Sequence, residues 1–184
     1  MILTVRNCLS SRIANKAGAI FLFALLMVIS GWVRIPLPGS PVPVTLQTMV
    51  VLLSGALLGG MSGAGVQGAY ILSGMLGLPV FSTLGSGYLY MAGPTGGYMA
   101  GFVVASFIVG KGIVYCRKNV FLVFTLMSLA SFVILFCGML WLKILLGLPF
   151  SKLLTIGVMP FIPGDLFKSA LAAMIFMRIS NKAK

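Results

Sequence analysis

Apolar runs of about 20 residues, the length that carries a helix across ~30 Å of hydrocarbon, recur from one end of this chain to the other. A soluble domain has no way to accommodate them, because its water-facing surface needs about a quarter of its residues charged. Here 60% of the 184 residues are hydrophobic and 8% are charged. The chain therefore reads as an all-α integral membrane protein. The runs predict six transmembrane helices near 17–34, 44–61, 64–79, 97–116, 120–143 and 160–179. They form one domain over 1–184, with 1–16 a cytoplasmic N-terminal segment and 180–184 a basic tail. "RIPLPGSPVP" (34–43) separates the first two runs with four prolines, which lack a backbone donor and cannot continue a helix. "GLPVFSTLGSGYLYMAGPTGG" (77–97) ends in a Pro-Thr-Gly-Gly turn. Basic residues before "AGAIFLFALLMVIS" also resemble a signal peptide, but no small-x-small cleavage site with a polar sequence follows. That segment reads as the first membrane helix.

The net charge of +12 does not gather into a groove-sized patch, so nucleic acid is not expected as a partner. The basic residues sit at the ends of the apolar runs. With both termini cytoplasmic, the inner side holds nine: Arg6, Arg12, Lys16, Lys111, Arg117, Lys118, Arg178, Lys182 and Lys184. The outer side holds three, Arg34, Lys143 and Lys152. Nine against three orients the chain by the positive-inside rule and predicts a multi-pass protein of the cell membrane. The loops at 35–43, at 80–96 and before Asp165 then share the outer face. Irregular backbone at membrane depth is tolerated where it lines a cavity, so a site opening outward is expected there.

The residue inventory narrows the chemistry. With no histidine, the commonest general base and metal ligand are both missing, and no metal site or cofactor is expected. Cys8, Cys116 and Cys137 have no metal-ligand spacing, and their odd number argues against a disulfide framework. No GxxxxGK[ST] phosphate loop is present. A binding protein, not an enzyme, is the expectation.

One acid remains. Asp165 stands three residues before Lys168 in "PFIPGDLFKSAL" (160–171), a spacing that puts both on one helix face. Pro163 and Gly164 mark a helix start, where a carboxylate gains from the helix dipole. Asp165 as a cap with Lys168 as its partner is one reading. Yet Ser, Thr or Asn caps without charge, and an ionisable residue in a membrane helix costs roughly 2.5–3.5 kcal/mol and is usually functional. An acid and a base side by side suit a small polar ligand with both donors and acceptors. Gln47 and Tyr70, polar inside apolar runs, fit either a ligand contact or an interhelical hydrogen bond. Phe81, Tyr90, Tyr98 and Thr45 lie on the same outer face, whereas Tyr88 and Trp32 read as interface aromatics. The GxxxG pairs Gly55–Gly59 and Gly97–Gly101 read as close helix packing.

Four segments, in order, resemble the hallmark segments of the BioY family: "IPLPGSPVPVTLQTMVVLLSGALLGG" (35–60), "YILSGMLGLPVFS" (70–82), "GPTGGYMAGF" (93–102) and "PFIPGDLFKSAL" (160–171). These are the biotin-binding S-components of energy-coupling-factor (ECF) transporters. The resemblance implies the six-helix S-component fold, a biotin pocket on the outer side, and three partners, a membrane coupling subunit and two cytoplasmic ATPases. It implies biotin contacts from Asp165 and Lys168, and more weakly from Thr45, Gln47, Tyr70, Phe81, Gly87, Tyr90 and Tyr98. Asp165 suits a ureido N–H, and Lys168 suits an acceptor oxygen or holds the Asp.

S-components commonly carry alanines four apart on the first helix, where it docks on the coupling subunit. Here Ala24 is present but Ile20 stands at the other position, while Ala14 and Gly18 offer a small-residue pair nearer the cytoplasm. Docking through Ala24, Gly18 and Ala14 is therefore expected in altered form. The alternative is a biotin transporter that works without ATPases, alone or as a homo-oligomer.

Overall fold

The computed structural model describes the backbone of residues 2–116 and 119–182, and side chains of residues 16–82, 84–116 and 119–181. Six long helices stand at the six apolar runs: α1 (Ile2–Trp32), α2 (Gln47–Leu58), α3 (Gly60–Met75), α5 (Gly96–Cys116), α6 (Val120–Leu146) and α8 (Ile162–Lys182). Two short helices have no counterpart among those runs, α4 (Tyr88–Ala92) in the Gly/Tyr loop and α7 (Phe150–Gly157) before the last run. The proline-rich loop also closes as a small hairpin. Arg34 pairs with Thr45 and Ile35 with Val44, antiparallel, as β1 (Arg34–Ile35) and β2 (Val44–Thr45).

The bounds shift for local reasons. α1 begins at Ile2, well inside the stretch that reads as a separate N-terminal segment. Gly59, at φ +84°, takes a conformation that side chains disfavour, and it ends α2 while starting α3. α2 is thus 12 residues long and covers about 18 Å at 1.5 Å per residue, short of the hydrocarbon thickness. Among the described residues, three stretches are long and apolar enough to cross a bilayer by themselves: Gly96–Cys116, Val120–Leu146 and Phe150–Asn181. Asn119 caps α6 by accepting from the Phe121 N–H at 2.9 Å. Gly147, left-handed at φ 61°, closes its other end.

α5 lies at the centre, packed against α2, α3 and α6, while α8 closes against α2 and α6. Close approach rests on small residues. A Cβ at Gly55 would overlap the Ser106 carbonyl of α5, and one at Gly97 would overlap the Trp141 side chain of α6. Gly59 of the first GxxxG pair makes no such contact, since it serves the α2–α3 turn. Outward, Phe21, Leu129, Phe136, Ile144, Phe167 and Met174 leave large apolar side chains exposed. That surface suits lipid and not water. The chain is a membrane protein.

Candidate functional site

A cavity opens at the end of the bundle where α2, α5 and α8 begin, with ≈ 540 Å³ of empty space counted to its mouth. The β-hairpin contributes Val42, Pro43 and Thr45 to the wall, and α2 contributes Gln47 and Thr48. Tyr90 of α4, Tyr98 and Phe102 of α5 and Phe161 supply aromatic rings, and α6 adds Ile134 and Leu135. Asp165 and Lys168 complete it from the first turns of α8.

Both charged residues are buried, Asp165 at 6% and Lys168 at 5% exposure. Buried charges must be paired and hydrogen-bonded to persist, and the partners here come from several elements. Lys168 Nζ lies 2.5 Å from Asp165 Oδ1, donates to the Thr48 hydroxyl at 2.8 Å, and donates to the Thr45 carbonyl at 3.1 Å. These three contacts use all three ammonium protons. On the carboxylate, Oδ2 accepts from the Ser131 hydroxyl of α6 at 2.9 Å. Oδ1 meets Thr48 only at 3.5 Å, near the limit of a hydrogen bond. A better-placed donor entering the cavity would therefore find an acceptor position on Oδ1. Among the described residues these partners are side chains from α2, α6 and α8, so Asp165 is tied into a network and does not act merely as a cap for its own helix.

A second polar group backs the first. Gln47 Nε2 donates to the Tyr70 hydroxyl at 2.6 Å and to the Met27 carbonyl at 3.3 Å, and Tyr70 donates onward to the Val80 carbonyl at 3.2 Å. Tyr70 thus holds Gln47 from behind and does not line the cavity. Phe81 also stands one layer back, fully buried, stacked on Tyr90 at 4.9 Å and edge-on to Tyr70 at 5.6 Å. Gly87, at φ +86°, starts α4, and its N–H reaches the Gly74 carbonyl at 2.7 Å. Its part is to carry Tyr90. Tyr98 is fixed by a 2.7 Å bond to the Gly157 carbonyl and lies 6.0 Å from the Phe161 ring.

Of the residues singled out in the sequence, Thr45, Gln47, Tyr90, Tyr98, Asp165 and Lys168 line the cavity. Tyr70, Phe81 and Gly87 support it from the second layer. Thr48 and Ser131 join the site although nothing in the sequence reading singles them out. Thr48 directly follows Gln47, and Ser131 is a hydroxyl in an apolar stretch three residues after Ser128; polarity inside a membrane run is the one signal they offer. Of the small residues on α1, Ala24 lines a groove with Phe21, Leu25 and Val28 against Ala69 and Ser73 of α3. Gly18 is exposed with open space around it, and Ala14 lies outside the residues whose side chains are described.

Known proteins share this architecture. The sequence model of the BioY family matches residues 5–184. The chain is 34% identical to the biotin transporter BioY of Thermotoga maritima, over 90% of this chain and 94% of that one. It is 32% identical to the biotin transporter BioY of Lactococcus lactis subsp. cremoris, over 94% of each. Its fold superposes with a TM-score of 0.87, at 26% identity and over 93% of both chains, on the crystal structure of the S-component for biotin from an ECF-type ABC transporter. With nearly its whole length matched in sequence and in fold, the chain belongs to the BioY family.

Proposed function

We propose that this chain is the biotin-binding subunit of a vitamin importer and holds biotin in the cavity at the head of α2, α5 and α8. The observation that carries the reading is the buried Asp165–Lys168 pair, placed in a cavity wall that is otherwise largely aromatic and aliphatic. Biotin's ureido ring offers N–H donors and a carbonyl, its bicyclic body is largely apolar, and its tail ends in a carboxylate. A ureido N–H displaces the weak Thr48 contact on Asp165 Oδ1, while Lys168 neutralises the carboxylate and presents positive charge to an acceptor oxygen. Gln47 adds an amide whose orientation Tyr70 fixes. Tyr90, Tyr98, Phe102 and Phe161 cover the ring system, with Ile134 and Leu135 against its aliphatic part. Function is capture and release, with no bond made or broken; the family's members named above are transporters.

The six long helices cross the membrane in this reading, α2 and α3 spanning with the help of their flanking loops. Both termini face the cytoplasm, as the nine-to-three distribution of basic residues supports. The cavity then opens to the outside. ATP hydrolysis belongs to partners, a coupling subunit and two ATPases. The groove at Ala24 between α1 and α3 is the proposed contact with the coupling subunit. Biotin uptake by cells with and without that subunit separates this arrangement from transport by the chain alone or as an oligomer.

Direct binding tests the ligand. Biotin is titrated into the detergent-purified chain, wild type beside Asp165→Asn and Lys168→Met, with folding followed by thermal unfolding. Tight binding that disappears in folded variants supports the assignment. Wild type that ignores biotin, or variants that bind it equally well, removes it.

A further inference from the structure

Beside Asp165, α6 and α8 line a second, much smaller void bounded by Ser128, Ser131, Phe132, Leu135, Ile162, Asp165, Leu166 and Ser169. It leaves ≈ 10 Å³ for the centre of a water-sized sphere, about the room that one water molecule requires. Two hydroxyls on its walls stand out. Ser128 and Ser169 are buried at 9% and 0% exposure, and neither Oγ has a hydrogen-bond partner among the described residues.

That isolation is uncommon among the hydroxyls of the described residues. Helical hydroxyls normally fold back on a carbonyl of the preceding turn, and Ser30, Ser54, Ser73, Thr125 and Thr155 all do so, at 2.8–3.1 Å. Ser128 and Ser169 forgo this bond, although a buried hydroxyl without a partner costs about 1–3 kcal/mol. Each lies one helical turn farther than Ser131 and Asp165, respectively, from the end that bears the main cavity. The void between them touches a carboxylate whose Oδ2 accepts from Ser131, and an ionised carboxylate oxygen has room for about two donors.

We propose that this void is a hydration site: one buried water is held by the Ser128 and Ser169 hydroxyls and donates to Asp165 Oδ2. With Ser131 it saturates Oδ2 and fixes the carboxylate plane, leaving Oδ1 to face the main cavity. Ser128 and Ser169 are then positioning residues for ligand capture, acting through the water and touching no ligand. A water fits better than a metal cation, because Lys168 already balances the Asp165 charge and an added positive charge would go uncompensated. The positioning role rests on the biotin-binding reading above; the hydration site itself does not.

Two measurements test this. In the first, biotin affinity and thermal unfolding are compared for wild type, Ser169→Ala and Ser169→Val. Alanine removes one of the two hydroxyls that hold the water, so the water is held more weakly and affinity falls about threefold. Valine fills the void, expels the water and lowers affinity about tenfold while the fold is retained. Unchanged affinity in the valine variant overturns the proposal, and a raised unfolding temperature beside it marks the void as a dry packing defect, whereas loss in both variants upholds the role of the Ser169 hydroxyl. In the second, a crystal structure of the ligand-free wild type at a resolution that orders waters looks into the void. Density at hydrogen-bond distance from both serines and Oδ2 upholds the site, and this measurement decides if the valine variant does not fold. An empty void, or a peak with contacts of about 2.3–2.6 Å, the range of a hard cation, overturns it. Wild type that binds no biotin sinks the functional reading alone, since the density still decides the hydration site.

Discussion

Ser131, midway along α6, donates its hydroxyl to Asp165 Oδ2 on α8 across 2.9 Å. The bond locks together two helices that are adjacent in space, through residues 34 apart in the chain. A hydrogen bond to a charged group contributes about 1.5–3 kcal/mol. Removing it frees the carboxylate to rotate away from the ligand, so Ser131→Ala is expected to weaken biotin binding by about tenfold or more. Calorimetric titration of the purified variant reads this directly, and an affinity equal to wild type would mean that the orientation of Oδ2 is immaterial.

The Gln47–Tyr70 bond, at 2.6 Å, reaches the cavity from one layer behind it. Tyr70→Phe keeps the ring against Phe81 but deletes the hydroxyl, so the Val80 carbonyl loses its donor and Gln47 Nε2 keeps only Met27. Interhelical hydrogen bonds in membrane proteins contribute about 0.6 kcal/mol on average and up to about 1.7. The unfolding temperature should fall by a few degrees and biotin affinity severalfold, because Gln47 is no longer held in one orientation. A variant unchanged in both would show that Gln47 needs no support.

Local chemistry makes part of this site legible in the sequence. Asp165 and Lys168 are visible because charge is costly in an apolar run and their spacing puts them on one face. Helix positions are visible because hydrophobic length is a local property. Thr48 and Ser131 are not, since ordinary hydroxyls acquire a role only when α2 and α6 are brought against α8, where their partner Asp165 lies 117 and 34 residues away in sequence. The Thr45 carbonyl, which accepts from Lys168, is backbone and has no signature in residue type. Tyr70 and Phe81 are recognisable as polar or aromatic groups near the site, but depth of layer is set by packing and not by spacing. The break at Gly59 shortens α2 because a glycine that reads as a packing residue serves instead through its backbone angle.

Gly74 illustrates how the second layer governs the first. A Cβ there would overlap the Phe81 ring, which is fully buried and stacked on Tyr90 in the cavity wall. Gly74→Ala should cost about 1–3 kcal/mol of stability through overpacking and weaken biotin binding by displacing Tyr90. Gly68, on the same helix, has open space where a Cβ would stand, so Gly68→Ala should be neutral or slightly stabilising, as alanine favours helix. Thermal unfolding of the pair, with biotin titration, checks the contrast; equal behaviour of the two alanines would refute it.

Stability and binding part company most clearly at the charged pair. Removing one member of a buried ion pair leaves an uncompensated charge, at a cost of about 3–5 kcal/mol, whereas replacing both members with neutral residues is often close to neutral. Asp165→Asn and Lys168→Met should each lower the unfolding temperature sharply, and the double variant should recover most of the loss. Biotin binding should not recover, since neither the acceptor on Oδ1 nor the ammonium is restored. That pattern, a fold rescued without its ligand, would assign the pair to capture. Singles as stable as wild type would mean that water reaches the pair and relieves its burial. A double variant that regains biotin would place recognition in the aromatic wall instead, leaving the lone acid and its lysine as structural partners of each other.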